Sequence, residues 1–575
     1  MRILLLTHAF NGLTQRLGAE LQERGHEVSI EFDIADSVAE EAVALFRPHL
    51  VVAPYLRRAI PESIWSRYVC LIVHPGIIGD RGPSALDWAI QRGEFEWGVT
   101  VLQAEAALDA GPVWASAVFS MRSARKSSLY RNEVTHAATS AVLLAVERFA
   151  AGDFKPTPLV EFNDVHGSQH PPMRQADRAI DWQQDDTATV LRKINAADGF
   201  PGVADTLFGV ACHIFDAWPE AVLRGAPDAK PGDLLARRET ALLRRTRDGA
   251  IWIGHVKRVG DFKLPTTLAF AAESAVLPAT PLTGWWRSES ETWQDIAYEE
   301  SGGVGFLHFE FYNGAMSTSQ CERLRSALAW AKQRPVQVLV LMGGADFWSN
   351  GIHLNVIEAA SLGDGSAADE SWNNINAMND LARELIESGG QITVAALAGN
   401  AGAGGCFLAR AADLVWAREG VILNPHYRNM GNLHGSEYWT YLLPRRVGAD
   451  AAQAIMRNRQ PLTAQRAAAS GFIDACLAGD PQAFRIDAAR RAAEIAAASD
   501  LAAKLTAKRE RRARDEAEKP LAAYREEELA HMRRNFYGFD PSYHVARHHF
   551  VRKSPASWTP RHLARHRDLG WQVPP

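Results

Sequence analysis

The stretch "ALAGNAGAGGCFLARAADL", residues 396–414, constrains the fold of this chain most strongly. Three glycines surround Ala403, and an apolar helical pattern punctuated by Arg and Asp follows at once. Glycine lets a backbone approach a ligand closely, and the first N–H groups of a helix have no partner inside it. The stretch therefore predicts a loop that binds a negative oxygen through backbone N–H groups. Phe407 stands where a reaction at such an oxygen usually needs an acid or a base.

Length and composition define the class of protein. At 575 residues the chain is too long for one hydrophobic core, so several domains are expected. Hydrophobic residues make up 47%, charged residues 22%, and the net charge is −5. This balance is typical of a globular protein and gives no sign of a surface for nucleic acid or a membrane.

The cysteines and the first residues predict a cytoplasmic protein. The five cysteines are scattered and form no C-x-x-C pair, which argues against a disulfide framework or a zinc site and favours a reducing compartment. The start "MRILLLTHAF" holds too short an apolar run for a signal peptide, and no later run approaches the length of a membrane span.

Apolar runs at residues 2–8, 27–31, 49–53 and 70–74 alternate with helical patterns. Such alternation predicts an α/β domain with a parallel sheet, here assigned to residues 1–165. The first loop lacks G-x-G-x-x-G, so a dinucleotide cofactor is not indicated.

Further domains follow along the chain. A Pro/His/Gln-rich segment, "NDVHGSQHPPMRQADRA", is a linker by composition and leads to a small β-rich domain at 178–275. A second alternating α/β region is predicted at 295–500, and a charged helical extension at 501–575.

The front region carries a paired motif. In "IVHPGIIGDRGPSALDWAI", residues 72–90, His74 ends a buried strand, and strand ends are where open α/β sheets bind ligands. Asp109 follows in a Leu-Asp-Ala-Gly turn. The His-x(6)-Arg-Gly-x(5)-Trp-Ala-Ile block with this turn resembles the 10-formyltetrahydrofolate-dependent formyltransferases. Residues 178–275, with "AIDWQQDDTATVLRKINAADGFPGV", are similar to their C-terminal domain.

The resemblance implies roles for these residues. His74 would stabilise the oxyanion formed when a nucleophile attacks the formyl carbon, and Asp109 would move the proton of that nucleophile. Arg81 and Ser84 would lie on the folate side. The family has Asn two residues before its His, whereas this chain has Ile72, which favours a thiol as the formyl acceptor.

The glycine-rich stretch pairs with a second loop in "PVQVLVLMGGADFWSNGIHLN", residues 335–355. Together they resemble the crotonase (enoyl-CoA hydratase/isomerase) superfamily, whose two loops each donate a backbone N–H to a CoA thioester oxygen. The donors implied here are those of Ile352 and Gly404. The acids that hydratases use are absent, because their positions hold Phe407 and, in "NPHYRN", His426.

The segment "HGSEYWTYLLP" crowds the acyl pocket that the crotonase resemblance implies. Family members have small glycines at this turn, whereas Ser436, Glu437 and Tyr438 occupy it here. A filled pocket suits a very small acyl group, and Glu437 would bring a carboxylate to it. We therefore expect a reaction other than hydration.

The two halves in this order resemble the HypX (HoxX) family of hydrogenase-maturation proteins. That resemblance implies formyl transfer from 10-formyltetrahydrofolate to coenzyme A, then cleavage of formyl-CoA to carbon monoxide and CoA. Glu437 and Tyr427 are the catalytic candidates for the second step, with His426 and Tyr438 behind them. Hydrogenase assembly proteins are the implied partners, with no nucleic acid, no membrane and no bound metal.

Two other functions stay open on the sequence. One is a formyltransferase for a sugar or tRNA amine with a non-catalytic crotonase domain, and the other is a non-enzymatic hydrogenase assembly factor.

Overall fold

The computed structural model describes residues 1–163, 165–221 and 228–568. The N-terminal domain contains the strands β1 (Arg2–Thr7), β2 (Glu27–Phe32), β3 (Leu50–Tyr55), β4 (Cys70–His74), β5 (Glu96–Gln103) and β6 (Val113–Ser120). Its helices are α1 (Gly12–Glu23), α2 (Asp36–Phe46), α3 (Glu62–Trp65), α4 (Ala85–Arg92), α5 (Lys126–Leu129) and α6 (Thr135–Ala151).

The sheet of this domain runs in the order β2-β1-β3-β4-β5-β6. Strands β1 to β4 are parallel, as predicted, whereas β5 and β6 continue the sheet in antiparallel fashion. The four central residues of β1 are apolar because both sheet faces are covered: Ile3 and Leu5 join one core, Leu4 and Leu6 the other.

The small domain begins with α7 (Thr187–Ala197) and is otherwise mostly β, as predicted. Its further elements are β7 (Val203–Leu207), β8 (Val210–Glu220), β9 (Leu234–Arg238), β10 (Ala241–Arg245), β11 (Ala250–Arg258), β12 (Leu264–Pro265), α8 (Thr266–Ala269) and α9 (Ala271–Ser274). The sheet order is β7-β8-β11-β10-β9, with β12 beside β11.

The second α/β domain contains the strands β13 (Ile296–Ser301), β14 (Val304–Phe309), β15 (Val338–Met342), β16 (Phe347–Ser349), β17 (Ile392–Leu397), β18 (Asn400–Gly402), β19 (Leu414–Arg418), β20 (Ile422–Asn424), β21 (Leu462–Thr463) and β22 (Ala475–Leu477). Its helices are α10 (Thr318–Ala331), α11 (Leu354–Ala360), α12 (Ala367–Ile386), α13 (Gly404–Arg410), α14 (Trp439–Leu442), α15 (Pro444–Val447), α16 (Ala449–Asn458), α17 (Ala464–Ala469) and α18 (Pro481–Ala496).

This domain is built from two sheets, in the orders β13-β14-β15-β17-β19-β22 and β16-β18-β20-β21. Strands β15, β17 and β19 of the larger sheet are each followed in the chain by a short strand of the smaller one. Strands β16, β18 and β20 are parallel to one another, so the loops that follow them emerge at the same edge.

The tail forms α19 (Leu501–Glu518), α20 (Leu521–Tyr537) and α21 (Ser542–Arg552). Helix α20 packs on α12 and α14, and α21 packs on α11. Residues beyond α21 return to the N-terminal domain, where the N–H of Ile30 donates to the carbonyl of Leu563 (3.1 Å) and His566 lies 2.9 Å from Glu31. The tail therefore ties the second α/β domain to the first.

Charged contacts join the three domains. Arg125, just before α5, contacts Asp216 of the small domain (2.6 Å) and Glu310 of the second α/β domain (2.9 Å). Helix α1 is linked to the glycine-rich loop through Asn424. The side-chain amide of Asn424 donates to Gln15 on α1 (2.9 Å), and its backbone carbonyl accepts from the N–H of Ala403 in the loop. In the described part of the chain, no helix is long and apolar enough to cross a membrane.

Candidate active sites

His74 lies at the carboxyl end of β4 and contacts two carboxylates. Its Nε2 is 2.8 Å from Oδ1 of Asp80, and its Nδ1 is 3.7 Å from Oδ1 of Asp109. Asp80 is fully buried. A Cβ on Gly76 would lie 2.5 Å from Nε2 of His74, so position 76 in the turn after β4 requires glycine. The predicted pair of His74 and Asp109 is thus brought together, with Nδ1 facing Asp109.

Asp109 occupies the loop between β5 and β6 in the left-handed region, with φ of 52°. Its Oδ2 accepts from the N–H of Gly82 (3.2 Å), which ties this loop to the one after β4. The distance to His74 exceeds a hydrogen bond, so one carboxylate oxygen stays available to a reacting group.

Asp80 and His170 are candidate residues that sequence reasoning missed. His170 Nε2 lies 3.2 Å from Oδ2 of Asp80 and thus extends the row His74–Asp80–His170. His170 belongs to the segment interpreted as a linker by composition. That segment instead packs on the site, with the N–H of His170 donating to the carbonyl of Arg81 (2.9 Å).

Arg81 and Ser84, the residues predicted on the folate side, lie in the loop leading to α4. The hydroxyl of Ser84 accepts from the N–H of Met173 (3.3 Å), so it holds the segment that contains His170 against the loop before α4. Arg81 borders an open cavity of about 340 Å³, which is also lined by Gly79, Leu159, Val160, Val165, Gly167, Ser168 and Gln169. Folate contacts of Arg81 and Ser84 stay predictions.

The two loops of the second site meet because β16 and β18 pair in parallel just before them. A Cβ on Gly351 would lie 3.3 Å from the backbone nitrogen of Gly404. Within the described residues, the N–H groups of Ile352 and Gly404 donate no hydrogen bond to the protein. Two free donors on adjacent loops, one of them at the start of α13, form a cradle for an oxyanion.

Glu437 lies beside this cradle and is fully buried. A Cβ on Gly404 would be 2.4 Å from Oε1 of Glu437, so the carboxylate lies against the bare glycine backbone. Oε1 has no hydrogen-bond partner among the described residues. Burial raises the pKa of Glu437 to about 8, and the nearby charge of Glu528 raises it too.

Tyr427 completes this group. Its hydroxyl donates to Oε2 of Glu437 (2.5 Å) and also lies 3.0 Å from the carbonyl of Ser436. Phe407 is fully buried and stacks on the Tyr427 ring, with centroids 5.7 Å apart and planes 11° apart. Phe407, at the position of the expected acid, therefore helps to orient the tyrosine.

The two lesser candidates have different surroundings. His426 is buried with both ring nitrogens unpaired within the described residues, and burial lowers its pKa to about 4, with the charges of His562 and Arg459 acting in the same direction. Burial raises the pKa of Tyr438, although the charges of Arg525 and Arg383 act to lower it. Neither residue hydrogen-bonds through its side chain to Glu437 in the described part of the chain.

No group of three or more His, Cys, Asp or Glu side chains suited to a metal ion occurs among the described residues. The five cysteines are unpaired, and four of them are buried.

Comparisons with family models match the three folded regions. The formyl transferase model matches residues 29–146, its C-terminal domain model residues 172–270, and the enoyl-CoA hydratase/isomerase model residues 305–561. The last match extends well into the helical tail. Methionyl-tRNA formyltransferase of Burkholderia thailandensis is 28% identical over 40% of this chain and 70% of its own length. The fold and the family models thus define a formyltransferase-type region joined to a crotonase-type domain.

Two relatives match over the whole chain. The hydrogenase maturation factor HoxX of Bradyrhizobium diazoefficiens is 55% identical over 99% of this chain and 97% of its own length. HypX of Aquifex aeolicus, solved in complex with tetrahydrofolic acid, is 47% identical with a TM-score of 0.95 and full coverage of both chains. The chain belongs to the HypX (HoxX) family of hydrogenase maturation factors, which confirms the resemblance drawn from its motifs.

Proposed function

We propose that this protein makes carbon monoxide for hydrogenase maturation in the cytoplasm. It transfers the formyl group of 10-formyltetrahydrofolate to coenzyme A, then splits formyl-CoA into carbon monoxide and CoA. The carbon monoxide becomes a ligand of the iron in NiFe hydrogenase, and hydrogenase assembly proteins are its partners. The observation that carries this proposal is the unpaired Oε1 of buried Glu437 beside the cradle of Ile352 and Gly404.

The first step needs an oxyanion donor and a proton acceptor. The CoA sulfur attacks the formyl carbon while Asp109 takes the thiol proton, and His74 stabilises the resulting oxyanion. The carbon–nitrogen bond then breaks, and the folate nitrogen receives the proton. Asp80, at 2.8 Å from Nε2 of His74, orients the ring so that Nδ1 faces the reacting group.

The second step needs a cradle, a base and a return path for a proton. The thioester oxygen accepts from the N–H groups of Ile352 and Gly404, and Oε1 of Glu437 removes the formyl hydrogen as a proton. The carbon–sulfur bond breaks and releases carbon monoxide, and the thiolate regains a proton through Tyr427. No oxidant or reductant is consumed, because the products together contain the atoms and electrons of formyl-CoA.

Close packing supports coupling of the two steps. Formyl-CoA hydrolyses readily, so transfer within one protein protects it from water. The contact of Gln15 on α1 joins the front domain to Asn424 of β20, whose carbonyl accepts from the N–H of Ala403 just before Gly404. The methionyl-tRNA formyltransferases match only the front of the chain, and formylation of an amine gives no purpose to a buried carboxylate in the rear domain.

The test of this function uses the purified full-length chain with 10-formyltetrahydrofolate and CoA. We expect tetrahydrofolate and carbon monoxide in equal amounts, the gas being trapped by reduced haemoglobin. An amine-specific formyltransferase would release no carbon monoxide under these conditions. A non-enzymatic assembly factor would consume neither substrate.

We expect the release of carbon monoxide to rise with pH up to about 8 and then to level off, because only ionised Glu437 can accept the proton and its pKa is raised to about 8. Rates measured with formyl-CoA as substrate between pH 6 and pH 9 would check this. A profile that falls over this range would contradict a base with a raised pKa. As a control, tetrahydrofolate formation should not follow the same titration.

A further inference from the structure

The turn that carries Glu437 has an unusual backbone. Glu437 and Tyr438 are consecutive non-glycine residues in the left-handed region, with φ of 59° and 60°. Each costs free energy that the surrounding structure must supply, and such strain concentrates at functional sites. The segment therefore keeps this shape only if outside contacts hold it.

Glu528 supplies four of those contacts from tail helix α20. Its Oε2 accepts from the N–H of Tyr438 (2.9 Å) and lies 3.4 Å from the hydroxyl of Ser436. Its Oε1 accepts from both the N–H (2.9 Å) and the hydroxyl (2.6 Å) of Thr440. The amide oxygen of Asn379 on α12 adds a contact to the N–H of Glu437 (2.8 Å).

Glu528 is fully buried, and no cation hydrogen-bonds to it among the described residues. Burial raises its pKa to about 7, so it is mostly ionised at the pH where Glu437 titrates. An apolar side chain in its place would leave the N–H groups of Tyr438 and Thr440 without acceptors, which is costly in a buried site. Its position next to a second buried carboxylate gives it an electrostatic consequence as well, since like charges oppose ionisation of the neighbour.

We propose that Glu528 is a positioning residue for the second reaction, which holds the 436–440 turn so that Glu437 faces the cradle and which acts on Glu437 through its negative charge. This inference rests on the proposed function. Through Glu528, helix α20 of the tail then contributes directly to the geometry of the second active site. The titratable or charged groups around the two carboxylates are Tyr427, Cys321 of α10, Tyr438, Arg525 of α20 and Arg383 of α12.

The experiment separates the charge of Glu528 from its position. Glu528→Gln keeps the size and removes the charge; Glu528→Asp keeps the charge and withdraws the oxygens from the turn. We expect both variants to release carbon monoxide from formyl-CoA on the order of tenfold more slowly. Only Glu528→Gln should move the pH midpoint of that rate, and it should move to lower pH by at least about half a unit.

Glu526→Gln is the matched control, because it removes a carboxylate from the exposed face of the same helix. It should keep the rate and the pH midpoint of the parent. Thermal unfolding of all variants shows whether each has folded.

A second readout makes the result independent of carbon monoxide formation. The infrared band of the protonated carboxyl group that disappears in Glu437→Gln reports the ionisation of Glu437 directly. We expect its titration midpoint to fall in Glu528→Gln and to stay in Glu526→Gln. An unchanged midpoint in Glu528→Gln would overturn the inference whether or not the parent releases gas. If the parent releases none, the proposed function fails by itself.

Discussion

Glu437→Gln should nearly abolish carbon monoxide release, on the order of 100-fold or more, while the protein still consumes 10-formyltetrahydrofolate. Glutamine has the size of glutamate but cannot accept a proton at neutral pH. The cradle of Ile352 and Gly404 and the ring of Tyr427 would keep their places. The first step would therefore continue, and formyl-CoA would leave or hydrolyse to formate.

The measurement follows three products from one reaction mixture: tetrahydrofolate, carbon monoxide and formate. The expected outcome is a loss of gas matched by a gain of formate. If Glu437→Gln makes gas as fast as the parent, Glu437 is not the base, and Tyr427→Phe and His426→Gln become the next variants to measure. His426 is an alternative base because its ring nitrogens are unpaired among the described residues and burial keeps the ring neutral.

Stability gives a separate check on the surroundings of Glu437. An unfolded chain ionises this carboxyl near pH 4.5, whereas the folded protein does so near pH 8. The unfolded state thus binds fewer protons between these pH values, so this group lowers the free energy of unfolding as the pH rises from 4.5 to 8. Glu437→Gln lacks that loss and should gain melting temperature relative to the parent at pH 8 but not at pH 4.5. Equal differences at both pH values would contradict a buried carboxyl with a raised pKa.

Patterns local in the chain predicted the fold class. The apolar runs that correspond to β1 to β4 are buried on both faces. Such runs can be recognised in a sequence because strands of a parallel sheet are covered on both faces and so are apolar on both. The sequence does not predict the antiparallel direction of β5 and β6, because an apolar strand has the same pattern in either direction. The composition of the segment interpreted as a linker indicates little regular structure. It does not indicate the packing of the segment, which places His170 beside Asp80.

The candidate sites were predictable where a motif fixes the backbone. The motif predicts the pair of His74 and Asp109, but strand order alone does not, because β5 runs antiparallel to β4 and its last residue, Gln103, faces Leu71. The loop after Gln103 turns back and brings Asp109 to 3.7 Å from His74. Glu528 could not be predicted, because its partner Tyr438 lies 90 residues earlier in the chain and neither sequence context indicates the contact. A glutamate in a charged helix is ordinarily a solvent-exposed residue. Only the packing of α20 on α12 and α14 shows that this one is buried.

His74→Ala and Asp109→Ala should each reduce formyl transfer to CoA by roughly 100-fold or more. The first variant removes the group that meets the developing oxyanion, and the second removes the acceptor of the thiol proton. Tetrahydrofolate formation with CoA as acceptor measures this step. Glu105→Ala is the matched control, because it removes an exposed carboxylate from the same loop as Asp109. Near-parent turnover in both site variants would contradict the assignment.

Direct supply of formyl-CoA distinguishes loss of the front step from general damage. Since His74 lies at β4 and the cradle lies in another domain, His74→Ala should release carbon monoxide from added formyl-CoA at the parent rate. Glu437→Gln should fail in the same assay although its front site is intact. The two variants would then have opposite defects, with each half of the chain performing one reaction. Loss of gas release from formyl-CoA in His74→Ala would instead mean that the front residues also act in the second step.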